Sequence, residues 1–150
     1  MLVIDEYLAV DVAVGDWPAG LPDDELMLPV SRYFRLLQRI HNPGTGQLSE
    51  AMRDLSPRDR DSFRHPDSLL VQVLDPRRLL DRAAAIGARY STGGLLMTET
   101  LAAGLDHGRQ LWFGAHRNVG PRLSAIAEDL RIAIHVVVPP GEPPGQDVGG

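Results

Sequence analysis

The side chains best placed to do chemistry in this chain are oxygen donors. They are Asp5 at the end of the apolar run Leu2 to Ile4, Glu6 beside it, Glu99 inside the apolar segment that begins near Leu95, and the amide of Asn118. Hard divalent cations such as Mg2+ and Mn2+ take oxygen ligands with net negative charge, so each carboxylate missing from such a set weakens the site. Other chemistries lack their residues. The chain has no cysteine, which excludes disulfides and thiolate metal sites. Its five histidines, His41, His65, His107, His116 and His135, show no His-x-x-x-His spacing on a helix, so a zinc site has no support. His116, close to Asn118, reads as a surface loop residue. Ser31, Ser91 and Ser124 have no nucleophile-elbow pattern around them. Ser91-Thr92-Gly93-Gly94 ahead of a helix could offer backbone N–H groups to a phosphate, but ordinary helix capping explains it as well and no full phosphate-binding fingerprint is present.

Composition bounds the partners. With 150 residues and 43% hydrophobic content, one core is expected, burying roughly 70% of the unfolded surface. The balance of 15 basic and 20 acidic residues gives a net charge of −5, so the overall field repels polyanions and a nucleic-acid contact would need a local arginine patch. All 15 basic residues are arginine. Those from Arg53 to Arg64 alternate with Asp54, Asp59 and Asp61, which predicts a self-compensated surface. The N-terminal stretch lacks a basic region before its apolar run, and no apolar run approaches the roughly 20 residues that span a bilayer, so a cytoplasmic protein is expected.

The elements that must position the oxygen donors follow from periodicity. Leu2 to Ile4 reads as a buried parallel strand delivering Asp5 to its C-terminal edge, with a brief helix over Leu8 to Val14. An acid at a strand end either caps a nearby helix or lies in a functional cleft. Tyr33, Leu36, Leu37 and Ile40 are spaced as one helix face, between Pro29 and the stop signal Asn42-Pro43-Gly44. A short helix follows around Ser49 to Met52, then a mixed-charge loop from Ser56 to His65. Leu69 to Ile86 predicts two helices or one broken at Pro76, and Gly87 to Gly94 a loop. From Gly93 to Val138 the pattern is helix, short strand at Leu111 to Phe113, loop with Asn118, helix and strand, with Trp112 in the core. Residues 139–150, all Pro/Gly-rich, predict a disordered tail behind a single domain over 1–138. Strands separated by helices imply an α/β fold: an open, mostly parallel sheet between two helical layers. Ligands of such sheets gather at the C-terminal ends of the strands.

In order and spacing these features resemble the PIN-domain superfamily, and within it the VapC-type toxin ribonucleases. The likeness runs through the strand ending in Asp5, Pro29 and the helix carrying Leu37-Gln38-Arg39, the Gly46-Gln47-Leu48-Ser49 turn, His65-Pro66, and the helix from Thr98 to Leu105. It implies a PIN-like three-layer α/β/α fold. In active members, the resemblance further implies, three or four acids hold one or two Mg2+ or Mn2+ ions that activate water against a phosphodiester.

Against that pattern only Asp5 matches. Where a second acid should open the helix after Pro29, residues 31 to 35 are Ser, Arg, Tyr, Phe and Arg, and the charge of Arg32 would repel a metal ion. On the third helix the phase of Leu101, Ala102 and Leu105, at i+3, i+4 and i+7 from Thr98, makes Thr98 the matched residue facing Asp5. Glu99 then falls about 100 degrees round, on a solvated face with Asp106. Asn118 takes the place of the fourth acid, and bulky Tyr7 replaces a small residue two positions after the first. The expected cleft is Asp5, Thr98, Asn118 and Arg32, with Asp5 alternatively paired to Arg32 or Arg35. The expected function is a PIN-like binding or regulatory module with an eroded metal site and no cofactor, acting on a protein partner, either antitoxin-like or a second copy. The alternative is a Mg- or Mn-dependent toxin-type ribonuclease whose catalytic and metal-binding residues are Asp5 and Glu99, helped by Glu6 and Asn118, with RNA as substrate.

Overall fold

A computed structural model describes residues 1–137. Five strands form one all-parallel sheet in the order β3-β2-β1-β4-β5. They are β1 (Leu2–Ile4), β2 (Leu26–Leu28), β3 (Gln72–Val73), β4 (Gln110–Phe113) and β5 (Ala133–Val136). Seven α-helices connect them among the described residues: α1 (Glu6–Ala13), α2 (Val30–His41), α3 (Gln47–Asp54), α4 (Pro57–Ser62), α5 (Leu80–Tyr90), α6 (Leu95–Asp106) and α7 (Gly120–Asp129). The expected α/β/α layering with a parallel sheet is therefore what the chain adopts.

Alternation along the strands divides the core in two. Leu2, Ile4, Leu26, Leu28 and Trp112 face one side, where they meet Leu8 and Val12 of α1, Leu36 of α2 and Met52 of α3. Val3, Met27, Leu111 and Phe113 face the other, against Ala83 and Ile86 of α5, Leu101 and Ala102 of α6, and Leu123 and Ile126 of α7. Because β1 is followed by β2 on one side and flanked by β4 on the other, the connections leaving β1 and β4 pass to opposite faces of the sheet. In open sheets of this kind the crevice belongs at that reversal of strand order, which here falls at the C-terminal ends of β1 and β4. Asp5 and Gly114 are the first residues beyond those two strands.

Several local expectations change. The segment 56–65 is not a loop throughout: Ser56 accepts from the N–H of Asp59 and Pro57 occupies the first turn, a capping pair that starts α4. Leu69 to Ile86 does not hold two α-helices; it gives the two-residue β3 beside β2, a 3-10 turn at 76–78 and then α5, which runs through Gly87 to Tyr90. The strand β2, three apolar residues behind a run of acids, was too short to show periodicity. Arg53 and Arg60 are not mainly paired with the neighbouring aspartates: Arg60 donates to the carbonyls of Met52, Arg53 and Leu55 at the end of α3, and Arg53 reaches back to those of Ser49 in the first turn of α3 and Gly44 ahead of it. Trp112 is buried as expected and stacks on His135, ring centroids 4.1 Å apart. The tail expected over 139–150 lies outside the described residues.

Candidate functional site

The crevice is built from the carboxylate of Asp5 outward. Asp5 is the N-cap of α1, its Oδ1 accepting from the N–H of Leu8 at 3.0 Å. Its Oδ2 accepts from the N–H of Gly114 at 3.0 Å and from Nδ2 of Asn118 at 2.9 Å. One buried carboxylate thus ties the start of α1 to the end of β4 and to the 3-10 turn 116–118. The capping reading of Asp5 is thus what the structure shows.

Glu6 is fully buried in the first turn of α1. Its Oε2 meets Nη1 of Arg32 at 2.9 Å; its Oε1 meets Nη1 of Arg35 at 2.7 Å and Nδ2 of Asn118 at 3.0 Å. The arginines of α2 therefore pair with Glu6 rather than with Asp5. Arg32 is itself buried: its Nε donates to Oγ1 of Thr100 at 2.8 Å, and its guanidinium lies over the ring of Phe113, 5.2 Å from the centroid. Arg35 is one third exposed.

Glu99 corrects the phase argument. It is 1% exposed, not on a solvated face, and its Oε1 accepts from the N–H of Ser31 at 2.8 Å and from the Ser31 hydroxyl at 3.1 Å. Pro29, the N-cap residue of α2, has no side-chain acceptor, so a carboxylate from α6 satisfies the orphan donor instead. Thr98 does not face Asp5. Its hydroxyl donates back to the carbonyls of Gly94 and Leu95, and it lines a groove with Leu80, Ala83 and Gly87 of α5. The residue of α6 that joins the central cluster is Thr100, which no pattern in the sequence singled out.

Removing the Glu99 carboxylate should therefore loosen α2. Glu99→Ala leaves two donors of Ser31 without their acceptor and is expected to cost about 1–3 kcal/mol in urea unfolding, with Glu99→Gln retaining part of it. Equal stability of wild type and Glu99→Ala would show that the cap contributes nothing.

The electrostatics of the two adjacent acids diverge. Burial first, and the neighbouring Glu6 second, push Asp5 up to about 6 against the opposing pull of Arg32, Asn118 and the Leu8 N–H. Glu6 is desolvated as well, but Arg32 and Arg35 outweigh that and hold it below the usual carboxylate range. The two groups tilt stability in opposite directions. Asp5 binds its proton more tightly in the folded chain, so its contribution is fullest below pH 3.8 and declines as pH rises toward 6. That of Glu6 is present above 4.5 and is lost as pH falls through its lowered folded value. Asp11, raised to about 6 by burial and by Asp16, adds a decline of the same sign, so the fall in stability between about pH 4 and 6 should be shallower in Asp5→Asn without vanishing. Parallel stability–pH curves for the two proteins across that window would contradict the burial cause.

As a metal site the donor set does not fit. Both oxygens of Asp5 and both of Glu6 already accept hydrogen bonds, and two guanidinium groups pair with Glu6. Among the described residues, no three His, Cys, Asp or Glu side chains gather as a group that could hold a metal ion. Nor is any described helix long and apolar enough to cross a membrane. Comparisons of the chain with family models, curated proteins and solved structures give no match.

Proposed function

We propose that the chain is a PIN-like module, related to toxin ribonucleases, in which an internal guanidinium has taken the place of the metal ion and whose task is to bind a protein partner rather than to cleave RNA. The observation that carries this reading is Arg32, buried between Glu6, Thr100 and the Phe113 ring at the crevice where the strand order reverses. A metallonuclease needs its clustered negative charge uncompensated until a cation arrives. Here Arg32 and Arg35 balance Glu6 from within, and a divalent ion entering the cleft would meet two positive charges and have to displace N–H donors from Asp5.

One observation favours the second reading, a Mg- or Mn-dependent ribonuclease using Asp5 and Glu99. Glu99 is buried against the start of α2, so α6 and α1 each hold a carboxylate away from bulk water. Thermal unfolding of the full chain and incubation with single-stranded RNA, each with and without about 1 mM Mn2+, separate the two. The module reading expects no shift in melting temperature and no cleavage. A Mn2+-dependent rise in Tm, or RNA cleavage, that is lost in Asp5→Asn and Glu99→Gln overturns it. On the module reading the partner is an antitoxin-like protein or a second copy of this chain; RNA is a ligand only on the second.

A further inference from the structure

The run Leu69-Leu70-Val71-Gln72-Val73-Leu74 contains no charge and no proline and is rich in apolar and β-branched side chains. It carries β3, which ends the strand order, so among the described residues no strand lies beyond it. The N–H of Leu74 donates to the carbonyl of Leu28 at 3.0 Å. Residues of a parallel ladder alternate, so the N–H and C=O of Val73, one position earlier, point away from β2 toward the open edge. Sheet edges are commonly blunted by charged side chains or proline, because bare N–H and C=O groups template another strand. Here the run has neither, and its Leu70 is 76% exposed, more than any other large hydrophobic side chain among the described residues.

Leu69, Leu70, Gln72 and Val73 line an open groove of about 540 Å3 together with Glu25 and Asp67. Its wall holds those two carboxylates and no basic side chain. Both acids are exposed, and among the described residues neither stands in an ion pair. What covers such a groove must bring main-chain hydrogen-bonding groups, an apolar side chain and positive charge. A second copy of this chain, paired edge to edge, meets the first two demands and fails the third, since it would bring the acids of the two grooves together.

We propose that the β3 edge receives an extended, basic segment of a partner protein as a sixth strand, its main chain bonding to Val73, an apolar side chain covering Leu70, and its Arg or Lys residues meeting Glu25 and Asp67. Main-chain bonds supply an attraction that any extended segment can make, while the alternate side chains and the charge select among segments. A net charge of −5 favours the approach of a basic segment over an acidic one. Such a segment belongs to the partner of the binding module, so this pairing rests on that reading for there being a protein partner, while the crevice takes no part in it.

Titration of the full chain with a blocked peptide of alternating Arg and Val, about eight residues long, tests it by fluorescence anisotropy of the labelled peptide and by hydrogen exchange. The expected result is saturation below about 1 mM and slower exchange of the Val73 amide, whose N–H becomes bonded. The same peptide with Glu in place of Arg, or N-methylated at alternate residues, should bind about tenfold more weakly or worse. Val73→Pro removes the outward donor and no bond to β2, so it should keep its far-UV circular dichroism and lose about tenfold in peptide affinity. Glu25→Arg combined with Asp67→Arg should reverse the preference between the Arg and Glu peptides. No saturation up to about 1 mM, equal binding of the Arg, Glu and N-methylated peptides, wild-type affinity in Val73→Pro, or self-association that Val73→Pro abolishes overturns the proposal. Mn2+-dependent RNA cleavage would strike the module reading whatever the peptide does, whereas an inert edge with no response to Mn2+ strikes this pairing alone.

Discussion

Glu6→Ala is expected to be the most damaging single change in the crevice, costing about 3–5 kcal/mol in denaturant unfolding. The cost comes from what remains. Arg32, with a side chain 3% exposed, would keep only the Thr100 hydroxyl as an acceptor, and a buried guanidinium without a counter-charge is among the least tolerable groups in a protein interior. Arg35, one third exposed, can turn into water and adds little. The reverse change should be milder, because in Arg32→Met the Glu6 carboxylate keeps Arg35 and Asn118 and the methionine fills the space over Phe113. The double change Glu6→Leu with Arg32→Met should recover most of the loss, since a well-packed apolar pair commonly equals the buried ion pair that it replaces. If Arg32→Met proves as costly as Glu6→Ala, or the double variant is no better than Glu6→Ala, the asymmetry argued from Arg35 and Asn118 is wrong.

Gly114→Ala should come next, at about 2–3 kcal/mol. A Cβ at position 114 would sit 2.8 Å from the Cβ of Tyr7 and 3.2 Å from the backbone nitrogen of Leu8, and neither of those atoms is the far end of a flexible side chain. Helix α1 would have to lift off the end of β4. The same movement would stretch the bond from the Gly114 N–H to Asp5, so the damage reaches the cap of α1 and the link to Asn118. Hydrogen exchange offers a reading specific to this mechanism: amides at the start of α1 and in the turn 116–118 should lose protection while those of α7 do not. Uniform loss throughout the chain, or a stability unchanged from wild type, would show that α1 accommodates the methyl group without strain.

Much of the frame was legible before any coordinates. The strand Leu2 to Ile4, the helix behind Pro29 and the helix–strand–helix–strand order of the C-terminal half follow from local signals: apolar runs, a 3.6-residue period, and Pro, Gly and Asn as stops. Asp5 as the cap of α1 was readable from its place at the end of an apolar run, and the approach of the Asn118 loop to it from the order of the elements. The strands β2 and β3, three and two residues long, were not, because so few residues carry no period. Ser56-Pro57 was a start signal that its mixed-charge surroundings obscured.

What the sequence by itself determined is thus the layer order and the arrival of one carboxylate and one amide at the C-terminal edge of the sheet, since these depend on contacts between near neighbours along the chain. The identity of the partners was decided only in three dimensions. Helix α6 is buried from Thr98 through Gly104, packed by α5, α2 and the sheet, and a helix enclosed on all sides has no apolar stripe from which to read its phase. Hence Glu99 lies buried against Ser31 rather than in solvent, and Thr98 against α5 rather than toward Asp5. Likewise the sequence shows that Arg32 opens α2, but whether its charge is left to repel a cation or is absorbed depends on a residue 26 positions away. Ion pairing in the interior is a property of which desolvated charges meet, and only the fold brings Glu6 to Arg32.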